Sequence, residues 1–256
     1  MSLALTAAQT DQFHQDGYLI FRGMVAPGMC AQMQALAQRH LQDEVAPLEY
    51  EADVGYDGAP DSLEALGGHT VRRLRGAFAR DPLLRNWALD PLIGERLRLL
   101  LEEPVILTLA HHNSVMTKHR DFGSATGWHR DSRYWSFART ELISVWLALG
   151  NESASNGGLR VIPGSHHWQL APGQLDALDF LRPDVAQNQS LFAQGIDVEL
   201  AAGDVLFFHS GLFHAAGRNE GAHIKTSVVF AYRAQSNPPR PGSNSAAASE
   251  VPLVTP

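Results

Sequence analysis

The sequence holds a single cysteine, Cys30, which excludes any internal disulfide framework and removes the main argument for an oxidising compartment. No apolar run reaches bilayer length, and the opening stretch MSLALTAAQTDQF lacks a basic region followed by an apolar one. The expectation is a cytoplasmic protein with no membrane partner. There is no block of Lys or Arg either; 20 basic residues against 27 acidic ones leave a formal charge of −7, which argues against a nucleic-acid groove. What is present, 256 residues of which 45% are hydrophobic, suffices for one domain with a sizeable core, and no break in composition divides it. A small-molecule partner fits this balance best.

Local signals divide the chain into a helical and a strand-rich part. Thr6 and Gln9 have the spacing of a capping box, opening a helix that ends at Asp16-Gly17 before a short apolar strand over 18–21. Pro27 suits a first helical position, and Met29, Met33, Leu36, Ala37 and Leu41 recur at helical spacing. Residues 47–69, rich in Gly, Pro, Asp and Glu, read as a long loop of the kind that lines binding sites. In VRRLRGAF, Arg72, Arg73 and Arg75 are either a solvated strand edge or a cationic wall for a carboxylate. Asp81-Pro82 and Asp90-Pro91 each look like an N-cap followed by a tolerated first-turn proline.

Beyond residue 101 the period changes. Strands are expected from 104, 141, 157, 196 and 225, giving a mainly β domain with flanking helices. The domain is expected to occupy 1–235, with helices over about 5–101 and strands over about 104–235. The Pro-, Ser- and Ala-rich tail, 236–256, is expected to be extended or disordered and not to cover a site.

The chemistry centres on GWHRDSRYW, where His129 and Asp131 are two apart. On a strand such residues share a face about 7 Å apart and can share a metal ion. A third ligand is offered by FFHSGLFHAAGRN, which contains both His209 and His214. Two imidazoles and one carboxylate on one side of an ion leave other positions open, the pattern of non-haem Fe(II) oxygenases. The pair alone carries little weight in a chain with 12 His and 27 acidic residues.

The surrounding motifs add to it. QFHQDGYLIFRG, WHRD, NGGLRVIPGSH and GDVLFFHSGLFHAAGRN, in that order from about residue 5 to about 233, resemble the phytanoyl-CoA dioxygenase family of Fe(II)/2-oxoglutarate oxygenases. The resemblance implies a double-stranded β-helix, the cupin-like jelly roll. It also implies Fe(II), 2-oxoglutarate as co-substrate and O2, with hydroxylation of a small molecule and release of succinate and CO2.

The resemblance selects His214 as the distal ligand, because His214, Gly217 and Asn219 fit the family pattern, and leaves His209 to the core. It places Lys225 where the family normally has an Arg for the co-substrate's distal carboxylate, with Ser227 two residues on. Trp146, Lys118 and Asn113 are further candidates for the co-substrate pocket. Two departures stand out. Lys225 is a point charge without a guanidinium fork, and Ala216 replaces a common Ser, which leaves room for Arg160 or an Arg of 72–75 to assist. Arg133, Tyr134 and Trp135, with Arg73, Arg75 and the 47–69 loop, would meet an anionic, partly apolar substrate. Asp131 argues against the related halogenases, which lack that carboxylate. The alternatives are a non-catalytic jelly-roll metal- and ligand-binding module, or a dioxygenase that uses a different oxo acid or none.

Overall fold

Side-chain alternation along the strands sorts the molecule into layers, as seen in a computed structural model that describes residues 5–254. Residues 1–4 of the opening stretch and 255–256 of the tail lie outside the described residues. The capping box at Thr6 is formed, with Gln9 N donating to Thr6 Oγ1 at 3.2 Å and Thr6 N to Gln9 Oε1 at 3.0 Å. It opens α1 (Ala7–Asp16), which ends on Gly17 at φ 80° and turns into β1 (Tyr18–Phe21). α2 (Pro27–Gln42) buries Cys30, Met33, Leu36 and Ala37. Met29, expected in that stripe, is 40% exposed, because the face that keeps register with Met33 and Ala37 passes through Cys30.

The 47–69 segment is more ordered than its composition suggested. It starts with β2 (Leu48–Tyr50), which pairs with β3 (Val71–Arg75). Helices α3 (Ala77–Arg80), α4 (Pro82–Ala88) and α5 (Pro91–Leu101) follow, the last two capped by Asp81 and Asp90 carboxylates that accept from Leu83 N and Leu92 N at 2.8 Å.

The remaining elements are β4 (Val105–Lys118), β5 (Thr126–His129), β6 (Leu142–Ala148), β7 (Leu159–Val161), α6 (Ala186–Phe192), β8 (Ile196–Asp197), β9 (Val205–His209), β10 (His214–Ala216), β11 (Lys225–Ala234) and β12 (Glu250–Pro252). They form two sheets. The larger has the order β1-β9-β6-β11-β4-β3-β2, with β12 also on β4, and the smaller β5-β10-β7-β8. The run from 196, read as one strand, is two strands in different sheets. A turn separates them, closed by the Asp204 carboxylate, which accepts from Ala201 N and Gly23 N.

The central strands of the larger sheet are covered on both faces and so read as nearly continuous apolar runs. Val145, Leu147, Val205, Phe207, Val228, Phe230 and Tyr232 face the helices. Tyr232, fully buried, donates its hydroxyl to Ala88 O at 2.8 Å and ties α4 to the sheet. The alternate positions Trp146, Leu206, Phe208 and Val229 meet Leu159 and Val161 of the smaller sheet. By the same alternation Ser227 and Lys225 continue the inner face of β11, and Met116 and Lys118 that of β4. The two sheets with their helical layer form the expected jelly roll.

One open alternative closes here and one expectation changes. β3 is not a solvated edge, since it lies between β4 and β2 and Arg72 is 4% exposed. The tail is not left free beyond Ala234. Asn237 and Ser245 are buried, and β12 pairs with 106–108 of β4, covering backbone groups that an open edge would expose. Among the described residues no helix is long and apolar enough to cross a membrane.

Candidate active site

Antiparallel pairing in the smaller sheet sets His129, the last residue of β5, opposite His214, the first of β10. Asp131 is not on that strand. The chain leaves β5 after His129 and enters a 3-10 turn over Asp131–Arg133, so the turn swings the carboxylate toward both imidazoles, and strand alternation is not what brings it there. The three residues are buried, and one ligand atom of each lies within 4.8 Å of the others.

Backbone carbonyls fix the tautomers. His129 Nδ1 lies 2.8 Å from Gly127 O and His214 Nδ1 lies 3.0 Å from Leu212 O, and since a carbonyl only accepts, each Nδ1 carries a proton and each Nε2 is the nitrogen left for a metal. Burial, then His214, holds the His129 pKa well below the usual imidazole value, so the ring is neutral and able to ligate. Two imidazoles and one carboxylate converging from one side fit Fe(II) and leave room for a chelating co-substrate.

The Asp131 carboxylate has its own supports. Ser144 Oγ donates to Oδ2 at 3.2 Å, and His112 Nε2 lies 3.4 Å from Oδ1. His112 was not singled out from sequence. It reaches the site because residues 109–112 of β4 have no partner on β11, where the register jumps between Phe230 and Ala231. Burial pushes its pKa down to about 4 against the pull of Asp131. The consecutive His-His pair, which a regular strand would send to opposite faces, was the available signal. Here Trp135 meets both rings, stacked on His111 and edge-on to His112, each with centroids 5.2 Å apart. Ser245 of the tail lies 2.7 Å from His111 Nε2, so the tail does reach the site wall.

A cavity of about 320 Å³ opens over the triad. Arg72, Arg73, Arg75, Lys118 and Lys225 give its wall a cationic character, and Tyr134, Trp135 and Trp146 give it aromatic surface. Val54 and Tyr56 join them from the 47–69 segment. Arg72 and Arg73 share Glu49, with Nε to Oε1 distances of 3.6 and 3.2 Å, and Arg72 also lies 3.4 Å from Glu51. Lys118 Nζ donates to Ser124 O at 2.7 Å. Burial, then Arg72 and Lys225, pushes its pKa down to about 7.

Other candidates sit behind the wall or away from it. Ser227 is fully buried and bonds Glu152 and Lys225. Asn113 accepts from Phe78 N at 2.8 Å and donates to Leu109 O, a backbone-bracing role. Arg133 lies over the Phe180 ring and donates to Leu178 O and the Tyr134 hydroxyl. Arg160 pairs with Asp197, and His209 packs on His166 with centroids 5.0 Å apart. Glu152, which composition gave no reason to notice, bonds Lys225, Ser227 and Trp146 together.

The chain is similar to known proteins over most of its length. The family model described as Phytanoyl-CoA dioxygenase (PhyH) matches residues 13–227. A probable phytanoyl-CoA dioxygenase of Caenorhabditis elegans is 24% identical over 89% of this chain and 75% of its own length. An ectoine dioxygenase of Bordetella bronchiseptica is 23% identical, over 94% of this chain and 80% of its own. Among solved structures, EctD from S. alaskensis with 2-oxoglutarate and 5-hydroxyectoine superposes with a TM-score of 0.73 at 22% identity, covering 92% of this chain and 78% of that one.

Proposed function

The chain belongs to the phytanoyl-CoA dioxygenase family of Fe(II)/2-oxoglutarate-dependent oxygenases, and on that premise we propose that it hydroxylates an unactivated C–H bond of a small organic anion. The observation that carries this reading is the buried His129, Asp131 and His214 triad at a cavity whose wall bears three arginines and two lysines. When bound, Fe(II) and 2-oxoglutarate supply the oxidising chemistry. That chemistry would be oxidative decarboxylation of the oxo acid to succinate and CO2 coupled to hydroxylation of the substrate, with His129, Asp131 and His214 as the residues that would hold the metal.

The chain's own part is to hold and to aim. His129 and His214 present their Nε2 atoms, and Asp131 is oriented by Ser144 and His112. Lys118 and Lys225 receive the distal carboxylate of the co-substrate, beside Trp146. Arg73 and Arg75 face the cavity from the β3 side, where they would meet an anionic substrate, with Tyr134 and Trp135 against its apolar body. Burial between the sheets keeps bulk water from Lys118 and Lys225 and strengthens their pull.

The test is succinate release by the Fe(II)-loaded protein, with and without O2, across a panel of small carboxylates. Release that needs Fe(II) and O2, rises with one substrate class and vanishes in His129→Ala is the expected result. No release under any condition from protein with iron bound would instead favour a metal-binding module without catalysis.

A further inference from the structure

Lys118 and Lys225 stand directly opposite one another on β4 and β11, yet their surroundings differ. Lys225 Nζ donates to Glu152 Oε2 at 3.1 Å and to Ser227 Oγ at 3.2 Å, and Ser227 in turn donates to Glu152 Oε1 at 2.6 Å. Trp146 Nε1 lies 3.2 Å from both Glu152 oxygens. The carboxylate thus takes donors from three side chains, and its backbone is pinned on both sides by Leu200, at 2.8 and 3.0 Å. The Glu152 side chain has no exposed surface and that of Lys225 only 5%, so this is a buried ion pair. By contrast, among the described residues no carboxylate lies within 4.0 Å of the Lys118 amine.

Charge counting gives the consequence. An ammonium has three N–H groups, and two on Lys225 are engaged, leaving one for the cavity, with its charge cancelled by Glu152. Lys118 spends one N–H on a neutral carbonyl and keeps two, with its charge uncancelled by any bonded partner. We infer that Glu152 is a positioning residue of the co-substrate site: it fixes and neutralises Lys225, so that Lys118 supplies the net charge that selects an oxo acid bearing a second carboxylate. The inference rests on the placement of the distal carboxylate at these two lysines.

The experiment compares 2-oxoglutarate with 2-oxopentanoate, which has the same chain and a methyl in place of the distal carboxylate. Binding of each to anaerobic, Fe(II)-loaded protein is followed by calorimetry, so no turnover is needed. Wild type should prefer the dicarboxylate. Glu152→Gln, similar in shape, uncovers the Lys225 charge and should widen the preference about tenfold, the low end of what a hydrogen bond to a charged group contributes. Lys118→Met should collapse it. Glu152→Gln combined with Lys225→Met exchanges a neutral pair for a neutral pair and should reverse the widening. Because it leaves no unpaired buried ammonium, it also carries the test if the single variant does not fold.

A preference unaltered in Glu152→Gln means that Glu152 is only structural and overturns the inference. So does a double variant that loses the preference as Lys118→Met does, since Lys225 would then be the anchor itself. No preference in the wild type overturns the placement of the carboxylate and the inference with it.

Discussion

Raising the pH should weaken 2-oxoglutarate binding through one amine, that of Lys118. Burial is the largest cause of its lowered pKa, followed by the like charges of Arg72 and Lys225, with Glu51 opposing, and the result is a value of about 7. If only the ammonium holds the distal carboxylate, affinity is full near pH 6. It falls about tenfold per unit above 7, so about a hundredfold by pH 9, or ~2.7 kcal/mol at ~1.36 kcal/mol per unit. A bound carboxylate raises the amine's pKa in the complex, so binding above pH 7 takes up close to one proton.

Anaerobic calorimetry on Fe(II)-loaded protein, in buffers of different ionisation enthalpy, reads both quantities. Proton uptake should approach one per ligand at about pH 8.5 and vanish at about pH 6, while Lys118→Met should bind weakly and without this pH dependence. The same shift acts on folding. The folded amine binds fewer protons than the unfolded one, whose pKa is ~10.4, so stability rises with pH between about 7 and 10.4. That contribution is lost as pH falls back to 7. A wild-type affinity that is flat from pH 6 to 9, or that falls equally in Lys118→Met, would refute the reasoning.

Two further substitutions probe the scaffold. Gly157 has φ 74°, and a Cβ there would lie 2.9 Å from Gly217 O and 3.0 Å from Lys118 Cγ. Gly157→Ala should cost about 1–2 kcal/mol in backbone strain and weaken 2-oxoglutarate binding by displacing Lys118; calorimetry showing undiminished affinity would place the carboxylate elsewhere. Phe207 is fully buried between the helices and the larger sheet, edge-on to Phe21 at 4.9 Å. Phe207→Ala should cost about 3–5 kcal/mol and lower Tm by ~2–4 °C for each of them, and a melting curve within about 3 °C of wild type would contradict the assigned core.

Much of the fold was legible because local rules govern it. Thr6 with Gln9, Asp81 and Asp90 cap the helices the sequence indicated, and the apolar strands from 104, 141 and 225 lie where they were expected. His129, Asp131 and His214 were found by residue type and motif, and the structure brings them together. The reason offered for the proximal pair was incomplete, since a turn and not a strand delivers Asp131. For the basic run at Arg72 a solvated edge and a cationic wall were both open until β2 covered it, and the tail read as extended or disordered until β12 gave it a partner.

By itself, the sequence determined the helix caps, the change of period that builds the strands, and the donor types able to hold a divalent metal. Each of these depends on residues a few positions apart, whose backbone preferences and hydrogen bonds are local. Only the tertiary structure decided which lysine is paired with a buried carboxylate. Glu152 reaches Lys225 across 73 residues of chain, and residues 109–112 bulge toward Asp131, because the register of β4 on β11 and the packing of one sheet on the other place them there. Such meetings follow from the closure of the whole fold, in which a buried charge must find its partner wherever the chain brings one.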